Sequence, residues 1–191
     1  IKGKSHITSA EAHIKKKFIV KLDIKDFYPS IHYKKVYRIF INLGCSPSIA
    51  SILTKLTTCQ GSLVLGFPTS PTLSNLYLRD VNFDERIQKL CNQHNFTYTR
   101  YGDDLQISGT KKVQNLKKLL CEIIKQSGLK PNYIKSKPLP SSSRQEILGI
   151  VVNQKKNISK DKYRILRAKI NSFKKVPQNE LLRKKILGEI N

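Results

Sequence analysis

Apolar residues fall along this chain in two kinds of run, short stretches that alternate and longer stretches with helical period. Phe18 to Ile24 is rich in β-branched residues and partly alternating, which predicts a strand. From His32 to Leu43, Val36, Ile39, Phe40 and Leu43 recur at helical spacing, and Gly44 is the stop. Pro47 opens a second helix with Ile49, Ile52, Leu53 and Leu56 on one face. A loop rich in Gly, Ser and Pro covers 61–71. A long helix from about Ser70 to Gln93 is then expected to turn Leu73, Leu76, Phe83, Ile87 and Leu90 inward. Phe96–Thr99 and Leu105–Ser108 read as strands on either side of a turn. A helix over 111–126 is closed by Gly128, a strand covers 147–152, and basic helices cover 160–174 and 179–190. Strands crossed by helices in this order predict an α+β fold, an antiparallel sheet with helices packed on one face. No internal repeat is present.

Charge narrows the partner. The 191 residues, enough for a single core, carry 36 Lys and Arg against 13 Asp and Glu, a net charge of +23. An excess that large points to a polyanion. No apolar run reaches the roughly 18–20 residues that span a bilayer. The basic residues are dispersed, so nucleic acid is favoured over a membrane. Cys45, Cys59, Cys91 and Cys121 form no Cys-x-x-Cys, and the four histidines are scattered, so neither zinc nor a disulfide scaffold is indicated. Reduced cysteines and the lack of a signal peptide imply a cytoplasmic protein. The chain contains no Met, which implies that it begins inside a longer protein.

Chemistry concentrates at Tyr101-Gly102-Asp103-Asp104, where two adjacent carboxylates occupy a tight turn between strands. Like charges that close destabilise each other unless a cation lies between them. Gly102 permits the positive φ of such a turn. Alone the tetrapeptide is weak, since a solvated Asp-Asp turn is common. A third carboxylate, Asp23, ends the first strand, where an unpartnered charge is uncomfortable. Three carboxylates suit two divalent ions about 3.5–4 Å apart. An all-oxygen set of this kind suits Mg²⁺, which takes the rest of its shell from water and substrate phosphate.

The order of parts then resembles the palm of reverse transcriptases: the strand bearing Asp23, then Gly66-Phe67-Pro68-Thr69-Ser70-Pro71, then Tyr101-Gly102-Asp103-Asp104. Within that superfamily the chain is similar to the bacterial retron-type branch. Ser9-Ala10-Glu11-Ala12-His13 resembles its Asn-Ala-x-x-His motif, and Ile147-Leu148-Gly149 stands in the place of its Val-Thr-Gly. The resemblance implies the end of a fingers region over 1–17, a catalytic palm over 18–158 and the start of a helical thumb over 159–191. It implies two Mg²⁺ ions held by Asp23 and Asp103, with Asp104 adjoining. Tyr28 takes the position of the aromatic gate that excludes a 2′-hydroxyl, and Phe27 beside it is either nucleotide-side or core. Gly66, Pro68 and Ser70 form the nucleotide floor, with Ser70 also capping the next helix. Lys135 is either a proton donor to pyrophosphate or a phosphate contact. His13 is either an RNA contact or a capping residue. Arg100 is either structural or template-facing, Tyr101 flanks the template side, and Lys160, Lys162 and Arg167 begin the thumb's grip on the duplex. The implied partners are an RNA template, a DNA product, dNTPs, a cognate structured noncoding RNA and an effector protein in antiphage defence.

The chain departs from the family pattern at Leu65, where a Gln is usual, and at Ser9, Leu148 and Gly102. Other bacterial reverse transcriptases, of the group II intron or defence-associated kind, remain an alternative to the retron branch. A catalytically weak RNA-binding scaffold is another, although it has no need of all three carboxylates. An RNA-directed RNA polymerase is disfavoured by Tyr28 and by the Gly66–Pro71 sequence. A nucleotide cyclase has no use for the positive charge.

Overall fold

In the computed structural model, which describes residues 5–111, 116–133 and 138–175, one strand sets the plan. Along β1 (Phe18–Lys25), Val20, Leu22 and Ile24 enter one core while Ile19, Lys21 and Asp23 take the opposite face, as the pleat requires. A hairpin of β2 (Thr97–Tyr101) and β3 (Asp104–Gly109) lies along one edge of β1. Two short strands, β4 (Lys130–Asn132) and β5 (Pro138–Pro140), share the other edge. Every pairing is antiparallel, in the order β2-β3-β1-β4.

The main core lies between this sheet and four helices: α2 (Tyr33–Asn42), α4 (Ser70–Asp80), α5 (Phe83–Gln93) and α6 (Lys117–Gln126). Val36, Leu78, Phe83, Ile87 and Leu120 meet Leu22, Leu105 and Ile107 there, all essentially buried. Helix α3 (Pro47–Thr57) packs beside α2 and buries Ala50, Thr54 and Thr57, which leaves Ile49, Ile52 and Leu56 exposed. On the other face of the sheet, α1 (His6–Glu11) and a small sheet of β6 (Glu146–Ile147), β7 (Ile150–Val151) and β8 (Asn157–Ile158) enclose a second core around Ala10, Ile19, Ile147 and Val152. Helix α7 (Lys160–Lys175) is preceded by Ser159, whose Oγ accepts from the Lys162 N–H at 3.3 Å. Among the described residues no helix is long and apolar enough to cross a membrane.

The α+β architecture, an antiparallel sheet with its main helices over one face, agrees with the pattern, while the short α1 and the small sheet cover part of the other face. The expected face of α3 is the exposed one, β4 and β5 are unexpected, and two further elements differ in extent. The helix expected over Ser70–Gln93 is two helices, broken where Asn82 adopts φ 51°. Asn tolerates that left-handed conformation, and Asp84 and Glu85 then open α5 with the acidic first turn that a helix N-terminus favours. The strand expected over 147–152 is a hairpin, because Leu148 and Gly149 both take positive φ and reverse the chain between β6 and β7. The two-residue pattern of positive φ is that of a type I′ turn. The helix expected over 179–190 and the start of the one expected over 111–126 lie outside the described residues.

Candidate active site

The hairpin tip comes first, because its backbone decides where two carboxylates go. Tyr101 pairs with Asp104, leaving Gly102 and Asp103 as a two-residue turn. Gly102 has φ 62°, and Asp103 is not among the residues of positive φ, a pattern that fits a type II′ turn. That turn type wants Gly in its first central position, and its twist matches the flanking strands. The Asp103 carbonyl accepts from the Ile24 N–H at 3.2 Å, which ties the tip to the end of β1.

Register then lines up a row across four strands. Tyr101 on β2 faces Asp104 on β3, Asp104 faces Asp23 on β1, and Asp23 faces Asn132 on β4. Directly opposed residues share a face with Cβ atoms about 5 Å apart. Asp23 and Asp104 are thus brought together on the face opposite the main core, with Asp103 next in the turn. Asn132 donates from Nδ2 to Asp23 Oδ2 at 2.8 Å. Asp23 is nearly buried, while Tyr101 at the other end of the row is 53 % exposed.

Past β1, Asp26 at φ 48° turns the chain back, and Ser30 Oγ closes the turn on the Asp26 carbonyl at 2.7 Å. This returns Tyr28 toward the tip. Its hydroxyl titrates above the usual range, first because it is partly buried and then because the charge of Asp103 and the neighbouring Tyr101 disfavour its phenolate. Phe27 is buried in the main core, its ring 5.3 Å from that of Tyr28. Of the two expectations for Phe27, packing is the one observed.

The Gly66–Pro71 loop enters α4. Gly66 holds φ 99° with open space where a side chain would be, and Leu65 beside it is 81 % exposed. Ser70 is buried and donates to the Val64 carbonyl at 2.7 Å. Its hydroxyl closes the loop rather than capping the helix. Gly66 and Pro68 remain on the surface.

Two residues expected to meet nucleic acid lie inside. Arg100 sits on the helix side of β2 with its side chain 12 % exposed. It forms a fork to Asp84, with Nε to Oδ1 at 2.8 Å and Nη2 to Oδ2 at 2.7 Å. It also donates to the Gly102 carbonyl at 3.0 Å and to Asn75 Oδ1 at 3.1 Å. His13 is wholly buried under α1, with Nδ1 2.6 Å from Ser108 Oγ and Nε2 2.8 Å from Thr99 Oγ1. Neither side chain offers the surface expected of a nucleic-acid contact: α4, α5 and the hairpin turn engage Arg100, and β2 and β3 engage His13. Lys160, Lys162 and Arg167 are exposed on α7. Arg167 and Lys160 line a groove of about 440 Å³ with Tyr163 and Arg164, and Lys162 Nζ reaches the Gly149 carbonyl at 3.5 Å. Lys135 lies outside the described residues.

Two residues of the site carried no signal in the sequence reading. Asp84 is one acid among many until the fold sets it under Arg100. Burial works to raise its carboxyl, but the Arg100 hydrogen bond and charge, with the Tyr98 hydroxyl, override this and hold it below the usual range. Asn132 gains meaning only from its register against Asp23.

Among the described residues, no three His, Cys, Asp or Glu side chains are grouped so as to hold a metal ion by themselves. The donor chemistry at the tip is nonetheless all oxygen, from an opposed pair of carboxylates and a third in the adjoining turn. That set fits a hard divalent ion that draws much of its shell from phosphate and water, which is how Mg²⁺ is usually bound.

Comparison with known proteins gives the family. Residues 1–152 match the family described as reverse transcriptase (RNA-dependent DNA polymerase). The chain is 36 % identical over 173 residues to the retron Ec86 reverse transcriptase of Escherichia coli, covering 89 % of this chain and 53 % of that protein. It is 30 % identical over 191 residues to the retron Mx65 reverse transcriptase of Myxococcus xanthus, covering 90 % of this chain and 44 % of that one. The chain therefore spans about half the length of the curated relatives it matches. Its fold is similar to a solved structure of telomerase from Candida albicans in complex with the TWJ fragment of telomeric RNA. That likeness has a TM-score of 0.55 at 12 % identity and covers 81 % of this chain and 33 % of that one.

Proposed function

The chain belongs to the reverse transcriptase (RNA-dependent DNA polymerase) family, and from that premise we propose that it is the catalytic palm of a retron-type RNA-directed DNA polymerase. The palm covers 18–158, preceded by the end of the fingers over 1–17 and followed by the start of the thumb over 159–191. It extends a primer with dNTPs on an RNA template in the cytoplasm, works on a cognate structured noncoding RNA, and serves antiphage defence with an effector protein. The observation that carries the reading is the register that opposes Asp23 to Asp104 at the tip of the Asp-Asp hairpin.

Each residue has a task in this chemistry. Asp23, Asp103 and Asp104 hold two Mg²⁺ ions. Such ions lower the pKa of an attacking hydroxyl and offset charge on the leaving pyrophosphate. Asn132 fixes one oxygen of Asp23, so its other oxygen keeps a constant direction. Tyr28 lies beneath the incoming sugar and leaves no room for a 2′-hydroxyl. Gly66 and Pro68, on an irregular backbone without side-chain bulk, let the nucleotide approach closely. The role given to Lys135, contact with the triphosphate, rests on the family resemblance alone. Tyr101 and the exposed Lys160, Lys162 and Arg167 meet the duplex, and those cations bind its backbone phosphates by displacing counterions.

The test is primer extension on an RNA template with Asp103→Asn. Extension should be abolished while RNA affinity stays close to that of the parent. Substantial residual synthesis would refute the role given to Asp103.

A further inference from the structure

Arg100 is buried on the side of the sheet away from the carboxylate row, yet one of its donors ends on the turn that carries Asp103. Four of its N–H groups are engaged: two on Asp84, one on Asn75 and one on the Gly102 carbonyl. The fork to Asp84 fixes the plane of the guanidinium, because two parallel charge-assisted hydrogen bonds leave it little rotation. Asp84 is itself held by the Tyr98 hydroxyl at 2.7 Å. The guanidinium is therefore anchored to α5 through Asp84 and to α4 through Asn75, and it reaches the turn from that fixed base. The carbonyl it holds belongs to the peptide that joins Gly102 to Asp103. Gly102 has open space where its side chain would be and no steric brake of its own, so the peptide's orientation depends on what bonds it.

We propose that Arg100 is a positioning residue, which sets the direction of the Asp103 carboxylate by clamping the Gly102–Asp103 peptide from beneath the sheet. The same guanidinium links that turn to α4, the helix that follows the Gly66–Pro71 loop, so the metal side and the nucleotide side share one support. Lysine does not replace it. A single ammonium cannot fork onto Asp84 and also reach the carbonyl and Asn75.

The inference rests on the polymerase reading for its kinetic arm but not for its structural one. Arg100→Lys in the full-length protein should lower kcat for single-dNTP incorporation by about 100-fold, the penalty of a displaced catalytic group, with KM for the dNTP little changed. In the metal-free protein, exchange of the Asp103 and Asp104 amides should rise by about 10-fold relative to the parent, as expected for local opening. Binding of Mn²⁺ to the protein alone should weaken in parallel. Wild-type amide exchange and Mn²⁺ affinity in Arg100→Lys overturn the proposal. If the parent incorporates no dNTP, the polymerase reading fails, and the exchange measurement still decides the role of Arg100. Should Arg100→Lys not fold, Asp84→Asn replaces it, since Asp84 is half-exposed and keeps its shape as Asn. Faster exchange at the same two amides then supports the clamp, and unchanged exchange overturns it.

Discussion

His13 offers the sharpest quantitative test, because its burial converts into a pH-dependent stability. Its two ring nitrogens bond Ser108 and Thr99, and the protons there can be assigned. Thr99 Oγ1 gives its hydrogen to Gln106 Oε1 at 3.1 Å and accepts from Ser9 Oγ at 2.9 Å. It then has one acceptor position left, so His13 Nε2 donates to it and Nδ1 accepts from Ser108. A neutral imidazole satisfies the cluster. Burial, with some help from Lys16, lowers the pKa from the ordinary 6.5 to about 4. Between those values the unfolded chain binds a proton that the folded chain refuses, so stability is full above pH 6.5 and is lost as pH falls toward 4. At about 1.36 kcal/mol per pH unit the whole effect is about 3 kcal/mol, of which about 2 kcal/mol falls between pH 7 and pH 5. Urea unfolding reads this directly: with a slope of about 2 kcal/mol/M, the midpoint should drop by about 1 M over that interval. His13→Asn keeps a donor and an acceptor but cannot titrate, so other groups alone set its pH response. The parent should lose about 2 kcal/mol more than His13→Asn between pH 7 and 5. Parallel losses in the two proteins would refute the buried, neutral histidine.

Tyr28→Ala should let rNTPs compete in primer extension, and unchanged sugar discrimination would demote Tyr28 to packing against Phe27. Gly109→Ala would place a methyl group inside van der Waals contact with the ring of nearly buried Phe96. A cost of about 1–3 kcal/mol in urea unfolding is expected from such overpacking, and an unmoved midpoint would contradict the geometry.

The strands and helices that carry a strong apolar period were legible in the sequence, and the ones that escaped have physical excuses. β4 and β5 are three residues each and contain Pro131, Pro138 and Pro140. Proline argues against a strand by propensity, yet it is tolerated on an outer strand, and among the described residues both lie on the outer edge of the sheet. The run Ile147 to Val152 looks like one strand because the turn inside it uses Leu148, a residue that rarely takes φ 49°. Helix α3 shows a different limit. Its period revealed an apolar face but not which face is buried, and the fold buries Ala50, Thr54 and Thr57 instead.

For the site, the apolar pattern carried more than it first seems. Asp23, Asp104 and Asn132 are far apart in the chain and meet only through register. A slip of one residue in β1 would send Asp23 into the main core and Val20, Leu22 and Ile24 to the other face. Burying those three, and Leu105 and Ile107 on β3, therefore excludes every odd slip, and the Ile24 N–H bond to the Asp103 carbonyl holds the observed offset among the even ones. That register is the one that opposes Asp23 to Asp104. The hydrophobic core thus selects the face that the carboxylates share, and the backbone pairing at the hairpin tip sets which of them are opposed. What the pattern could not encode is the support on the other side. Arg100 and Asp84 look like ordinary surface charges until β2 turns the first onto the helices and the break at Asn82 places the second at the start of α5. A like-charged pair at a two-residue turn gains from every bond that holds the turn's peptides. The clamp on the Gly102 carbonyl adds a side-chain hold on the peptide after Gly102, beside the Ile24 N–H bond that holds the next one.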